Sequence, residues 1–411
     1  MTEMFCYQCQ ETMKNSGCTR RGMCGKSAEV SRLQDLLIYL LKGISFWGTR
    51  GRNMGVTDDE TDLFVAKALF STITNANFDS DRYVAFIQEA IDRRDDLRKR
   101  AQTRCNELHN SNCNGSGPDW AGWHPNNYEV ETLLDKGRTV GVMDDLNLNE
   151  DIRSMREIVI YGLKGMAAYV DHAYLVGGRD ESVLAFMQEA LEATTNDTLG
   201  QAEMLALIQK TGEFGIKAMA LLDSSNTERY GNPEPTNVFL GVRPGKGILV
   251  SGHDLVDLEE LLQQTEGTGI NIYTHGEMLP TNAYPELKKY KHLVGNYGGS
   301  WWRQADEFDS FGGPILMTTN CIIPVRDGYR DRIFTTGMTG YPGVPHIADR
   351  PDGGHKDFSA VIERARTCEE PKELETGTIP IGYAHHTVLS LADKVIEAVK
   401  SGAISRFVVM G

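Results

Sequence analysis

The chain has 411 residues, 40% apolar and 24% charged, the balance of a globular protein of two or three domains. Its 42 Lys and Arg stand against 57 Asp and Glu, a net charge of −15. A surface that acidic repels phosphate backbones and anionic lipid, so no nucleic-acid or membrane-surface partner is expected. No run approaches the ~20 apolar residues that span a bilayer. The start, MTEMFCYQCQ, has no basic segment followed by an apolar core, so no signal peptide is expected and the expected location is the cytoplasm.

Four of the eight cysteines fall within the first 24 residues, as Cys6-x2-Cys9-x8-Cys18-x5-Cys24. A chain this long buries a core without staples, so a disulfide scaffold is not expected, and clustered cysteines point to metal or redox chemistry. Four thiolates on one short polar loop can enclose a cubane iron–sulfur cluster or a tetrahedral zinc. Zinc sites usually show two short cysteine pairs, and only the first pair is short in this loop. The spacing is not that of a common ferredoxin either, so both metals stay open.

Residues 27 to about 223 read as helical. Ser31 is the predicted cap of a helix whose apolar positions Leu33, Leu36, Leu37, Leu40, Leu41 and Ile44 repeat every 3.6 residues. Further helices are predicted from about Asp62 to Ile73 and from about Asp81 to Ala101. Ile38-Tyr39-Leu40-Leu41-Lys42-Gly43 recurs 122 positions later as Ile160-Tyr161-Gly162-Leu163-Lys164-Gly165, and Phe64 and Ala68-Leu69 recur as Phe186 and Ala190-Leu191 at the same offset. The shared gapless offset predicts two related three-helix bundles within residues 1–228. Between the copies, Cys105 to Tyr128 reads as a surface loop. Cys105, His109, Cys113 and His124 match no common metal spacing there.

After Tyr230 the pattern alternates between strands and helices. Strands are predicted at Gly247–Ser251, Ile270–Tyr273, His292–Gly295, Pro314–Thr318, Ile379–Gly382 and Ile404–Met410. Helices are predicted at Leu255–Thr265, Phe358–Arg366 and Thr387–Lys400. Such alternation calls for Rossmann-like α/β domains with mostly parallel sheets. Residues able to bind metal follow several strands: His253, Glu277 and Cys321. Sites in open α/β sheets assemble beyond the carboxyl ends of the strands, and mixed N, O and S ligation suits iron. Each residue also has a plain structural role open to it: a hydrogen-bonded strand end, a turn cap before Pro280, and a small buried hydrophobe. No G-x-G-x-x-G, Walker A, G-x-S-x-G or H-E-x-x-H motif is present.

The chain resembles the hybrid-cluster protein, or prismane, family, known as hydroxylamine reductases. The resemblance runs through Met4-Phe5-Cys6-Tyr7-Gln8-Cys9-Gln10-Glu11-Thr12, Gly22-Met23-Cys24-Gly25-Lys26 and the run from Phe70 to Asn77. It continues through Ile248 to Leu255, Gln264 to Gly269, Tyr273-Thr274-His275-Gly276-Glu277-Met278-Leu279-Pro280 and Thr319-Asn320-Cys321. It implies a multidomain α plus α/β fold: a helical domain of two three-helix bundles, then two α/β domains, here 229–370 and the incomplete 371–411. It also implies a 4Fe-4S cluster on Cys6, Cys9, Cys18 and Cys24. A hybrid 4Fe-2O-2S cluster would have His253, Glu277 and Cys321 among its ligands. The remaining family ligands would lie beyond Gly411: a persulfide cysteine, two further cysteines and a glutamate. The implied reaction takes hydroxylamine to ammonia with electrons from a redox partner protein. Nitric oxide is the competing substrate, and a nitric oxide sensor or protein S-nitrosylase and a carbon monoxide dehydrogenase-like enzyme are the alternatives.

Overall fold

The structure, a computed structural model, describes residues 3–109, 113, 115–319, 321–351 and 354–409. It divides into two units: Met1–Ser225 with Met317–Asp349, and Asn226–Leu316 with Arg350–Gly411.

The first unit is helical. The helices α1 (Ala28–Asn53), α2 (Asp59–Ser71) and α3 (Ser80–His109) precede a short α4 (Val130–Gly137). They are followed by α5 (Glu150–Leu175), α6 (Glu181–Ala193) and α7 (Gln201–Tyr230). The first two long helices of each set start 122 residues apart, 28 against 150 and 59 against 181, and the third starts 121 apart, 80 against 201. Helix α1 packs on α6 and α2 packs on α5. Because α1 corresponds to α5 and α2 to α6, these are the same contact made twice, as a duplicated chain folding on itself would make it.

Side-chain caps set the starts one turn earlier than periodicity alone suggests. Ser27 accepts from Val30 N at 3.1 Å and caps α1, which leaves Ser31 buried inside the helix. Asp58 accepts from Thr61 N at 2.9 Å and starts α2 ahead of Asp62. A carboxylate or hydroxyl at this position satisfies an amide that the helix itself cannot. The core is an apolar seam of Leu33, Leu36, Leu37, Leu40, Leu41 and Ile44 from α1 against Phe64, Ile87, Leu163 and Phe186. No helix among the described residues is long and apolar enough to cross a membrane.

The second unit holds β1 (Thr236–Phe239), β2 (Gly247–Ser251), α8 (Leu255–Thr265), β3 (Asn271–His275), α9 (Pro285–Lys288), β4 (Leu293–Asn296) and α10 (Gln304–Phe311). Strands β2, β3 and β4 run parallel. Strand β5 (Ile315–Met317) follows, and Leu249 N donates to Pro314 O at 2.9 Å. In the first unit β6 (Ile333–Thr336) pairs in parallel with β7 (His346–Ile347). The remaining elements are α11 (Ser359–Thr367), β8 (Thr378–Ile381), α12 (His385–Ser390) and α13 (Ala392–Lys400). Strand β8 pairs antiparallel with β1 and not with the parallel strands. Helix α8 is fastened by a buried ion cluster in which Asp257 meets Arg350 at 2.6 Å and Lys356 at 2.9 Å.

One predicted strand is corrected. Residues 404–409 carry no strand, and Phe407, Val408 and Val409 are exposed. An extended apolar run becomes a strand only where a neighbouring backbone takes its amides and carbonyls.

The repeat supplies its own control on helix packing. A Cβ on Gly43 would lie 2.3 Å from the Trp120 carbonyl oxygen, whereas one on Gly165, its counterpart in α5, would meet nothing within 4 Å. Gly43→Ala is expected to cost about 1–3 kcal/mol through overpacking. Gly165→Ala is expected to gain up to about 1 kcal/mol from helix propensity. Denaturant midpoints of the two variants check the opposite signs.

Candidate metal centres

The cysteine loop is a compact knot without long secondary structure. Cys6 and Cys18 face each other across an isolated antiparallel bridge: Cys6 N donates to Cys18 O at 3.1 Å and Cys18 N to Cys6 O at 2.8 Å. The chain reverses between them through Lys14 and Asn15, both with φ of 54°. Cys9 is pinned by Thr12, whose hydroxyl donates to the Cys9 carbonyl at 2.6 Å. Cys24 sits in the turn closed by Gly25 N on Gly22 O and Gly22 N on Lys26 O, both 2.9 Å. All four cysteines are outside disulfides.

The loop is electrostatically prepared for negative charge. Burial pushes the Cys6 thiol up, but Lys26, the Gln8 amide, Lys164 and the Gln8 side chain outweigh it and hold the thiol below its ordinary value. Gln8 Nε2 lies 3.7 Å from Cys6 Sγ. Burial dominates at Cys24, whose thiol is pushed up although Lys26 and its amide pull the other way. Among the described residues, no group of three or more His, Cys, Asp or Glu side chains is gathered for a single metal ion. A four-iron cluster takes one thiolate per iron and so spreads its ligands around a larger body. Four cysteines outside disulfides on one loop, with the Cys6 thiol held below its ordinary value and the buried Lys26 and Lys164 beside it, fit such a cluster by donor chemistry.

The second constellation is built by strand register. Ser251 at the end of β2 pairs with His275 at the end of β3 in a parallel ladder. Two residues further on in each strand stand His253 and Glu277, so parallel pairing carries both to the same place. The intervening residues, Gly252 with φ 117° and Gly276 with φ 57°, adopt turns that side-chain-bearing residues resist. His253 Nε2 and Glu277 Oε2 are in direct hydrogen-bonding contact. That bond holds the Glu277 carboxyl below its ordinary value, against partial burial. An imidazole nitrogen and a carboxylate oxygen therefore meet at one point, as two ligands of one iron site would.

His275 is a residue whose importance the sequence pattern does not signal. It is buried, with Nδ1 3.0 Å from Ser251 Oγ and Nε2 2.9 Å from Glu307 Oε2. Glu307 in turn accepts from Gly299 N at 3.1 Å. Both ring nitrogens are used in tying the β2 end, the β3 end and the Gly298–Gly299 turn together. His275 thus positions the segments that present His253 and Glu277.

Cys321 lies in the first unit, in a left-handed conformation with φ of 74°. Its amide donates to Asn75 Oδ1 at 3.3 Å, and Ile322 N donates to Asn75 O at 3.1 Å. Asn75 is itself left-handed, with φ of 47°. Such conformations in side-chain-bearing residues persist only where surroundings impose them, and they gather at functional sites. The segment from Cys105 to Tyr128, expected as a loop, begins in helix, since α3 runs on to His109; Cys105 and Cys113 form a disulfide, and His124 is held by Asp95 and the Gly122 carbonyl. That disulfide is a local staple eight residues long, not a scaffold.

The model of the Prismane/CO dehydrogenase family matches residues 4–411. Relatives named hydroxylamine reductase include that of Halothermothrix orenii, 54% identical over 407 residues, covering 99% of this chain and 73% of that one. The hydroxylamine reductase of Nitratidesulfovibrio vulgaris is 54% identical over 409 residues, with the same coverage of 99% and 73%. Among solved structures, carbon monoxide dehydrogenase IV from Carboxydothermus hydrogenoformans superposes with a TM-score of 0.40 at 14% identity, covering 96% of this chain and 60% of that one. No assignment rests on that last likeness.

Replacing His275 by Ala removes the bonds that it makes to the Ser251 hydroxyl and to the Glu307 carboxylate. A loss of about 1–3 kcal/mol is expected, since an intramolecular hydrogen bond contributes about 0.5–1.5 kcal/mol and one to a charged group about 1.5–3 kcal/mol. Urea unfolding of the variant checks it; an unchanged midpoint would contradict the positioning role.

Proposed function

We propose, from the premise that the chain belongs to the Prismane/CO dehydrogenase family, that it is an iron–sulfur oxidoreductase reducing hydroxylamine. The balanced reaction takes NH2OH, two electrons and two protons to ammonia and water. The observation that carries the reading is the meeting of His253 and Glu277 beyond two parallel strands in register. The names of the relatives point to hydroxylamine, and the readings as nitric oxide reductase, sensor or S-nitrosylase have no comparable support. A redox protein as electron donor and a cytoplasmic location belong to the same proposal.

In this reading Cys6, Cys9, Cys18 and Cys24 hold a 4Fe-4S cluster that takes electrons from the donor. His253, Glu277 and Cys321 are ligands of a hybrid 4Fe-2O-2S cluster. Its remaining ligands come from the part of the relatives that the chain does not span. When bound, that cluster supplies electrons and an open iron position for the nitrogen compound. The chain's own residues divide the work by donor chemistry. The Cys321 thiolate is the soft anchor, the His253 imidazole adds no charge, and the Glu277 carboxylate is a hard ligand able to give way to substrate. The contact between His253 Nε2 and Glu277 Oε2 holds these two donor atoms together at the point where the cluster would bind.

The test uses the full-length protein purified anaerobically. Glu277→Gln is expected to keep the thiolate-bound cluster spectrum and lose at least about a hundredfold of hydroxylamine turnover, the low end of a positioned acid–base group's contribution. Cys9→Ser is expected to lose the N-terminal cluster while the helical unit stays folded, because that fold rests on helix packing. Full turnover by Glu277→Gln, or an undiminished N-terminal cluster in Cys9→Ser, would overturn the assignment.

A further inference from the structure

The duplication places two lysines at equivalent positions, Lys42 on α1 and Lys164 on α5, each followed by glycine. Burial depresses both amines, Lys164 to about 8. Their electrical surroundings differ. The strongest charge acting on Lys42 is the Glu157 carboxylate; the Arg156 cation opposes it, and Asp35 and Asp144 add to it. Lys42 and Glu157 line a cavity of about 340 Å³ with Tyr39 and Asp144. The strongest charge acting on Lys164 is another cation, Lys26, and the first anion is the Cys6 thiolate, ahead of Glu157 and Asp35.

The contacts agree with that ordering. Lys164 Nζ lies 3.5 Å from the Thr72 carbonyl, which also accepts from Gln8 Nε2 at 3.2 Å; the same Gln8 amide reaches Cys6 Sγ. One turn earlier on α5, the Tyr161 ring meets Tyr7 edge-on at 5.5 Å between centroids, and Tyr7 follows Cys6 in the loop. Lys26 is also buried, donating to Gln34 Oε1 at 2.6 Å. Two buried ammonium groups side by side repel each other, and burying a cation without an anion is costly. Helix α5 therefore carries a positive charge beside the cysteine loop, where bound thiolates would add to the compensation that Glu157 and Asp35 give against Lys26.

We propose that Lys164 is the built-in counter-ion of the N-terminal cluster and sets its reduction potential, while its repeat counterpart Lys42 does not. The inference rests on the reading that Cys6, Cys9, Cys18 and Cys24 hold a 4Fe-4S cluster. Four thiolates make such a cluster anionic, and one-electron reduction, supplied by the donor protein or a chemical reductant, adds one negative charge. A fixed cation nearby stabilises the reduced form more than the oxidised form, and low local polarity enlarges the difference. Lys164 is thus a positioning and tuning residue, needing no contact with substrate.

The experiment is a spectroscopically monitored redox titration of the N-terminal cluster in the full-length protein, with Lys164→Met, Lys164→Arg and Lys42→Met compared. At the wild-type midpoint, Lys164→Met is expected to shift the oxidised-to-reduced ratio about tenfold toward oxidised, which is about 59 mV for a one-electron couple. Lys164→Arg should restore most of the wild-type potential, and Lys42→Met should leave it unmoved. If Lys164→Met fails to assemble the cluster while Lys164→Arg assembles it, the requirement for charge is upheld. If both fail, shape rather than charge is required and the proposal falls. A cluster present in Lys164→Met at the wild-type potential also overturns it, and leaves the cluster assignment standing. Wild-type protein with no four-iron cluster by iron and sulfide content overturns both.

Discussion

The parallel pairing of Ser251 with His275 is the constraint on which the candidate chemistry depends. A parallel ladder carries equal numbers of residues forward on both strands, so whatever lies two positions past one partner lies two positions past the other. Gly252 and Gly276 then let both chains turn at the same level. From this alone, His253 and Glu277 come to one point without any long-range contact to bring them there. His275 secures the arrangement from beneath, with Ser251 on one ring nitrogen and Glu307 on the other. A one-residue slip of register would send the two donors to opposite faces of the sheet.

The helical unit follows a different logic, in which a duplicated sequence is put to two uses. The contacts α1 on α6 and α5 on α2 are equivalent, and both serve the core. Positions that correspond at the 122-residue offset nevertheless face different surroundings. Gly43 is pressed against the Trp120 carbonyl whereas Gly165 has space, and the strongest charged neighbour is the Glu157 carboxylate for Lys42 but the Lys26 cation, then Cys6, for Lys164. The cysteine loop meets Thr72 after α2 through Gln8 and Tyr161 on α5 through Tyr7. Function thus enters through what breaks the repeat, not through what the two copies share.

Much of this was legible in the residues. The offset between Ile38 and Ile160 foretold the matched helix starts, and the apolar runs at Gly247–Ser251 and Leu255–Thr265 became β2 and α8 with those bounds. Strand-end placement brought His253 and Glu277 to notice because open parallel sheets present their sites there. Caps were harder to read: Ser27 and Asp58 act through backbone amides three residues on, a signal that apolar periodicity does not carry. The antiparallel pairing of β8 with β1 was hidden, because a short apolar run does not disclose its partner. His275, Asn75 and Lys164 were hidden for a related reason. Each matters through a tertiary neighbour: Glu307 for the first, Cys321 for the second and the cysteine loop for the third. The isolated thiol spacing left zinc and iron open, and the choice of iron came from family resemblance and donor chemistry.

Family membership and the strand-end donors together point to an enzyme that moves electrons from iron–sulfur centres to hydroxylamine. The most direct measurement is stoichiometric: anaerobically purified full-length protein, a chemically reduced one-electron donor dye, and hydroxylamine, with donor oxidation and ammonia counted in the same vessel. The account predicts continuous turnover with one ammonia formed for every two donor molecules oxidised. A single stoichiometric reaction without turnover, or donor oxidation that yields no ammonia, would contradict it.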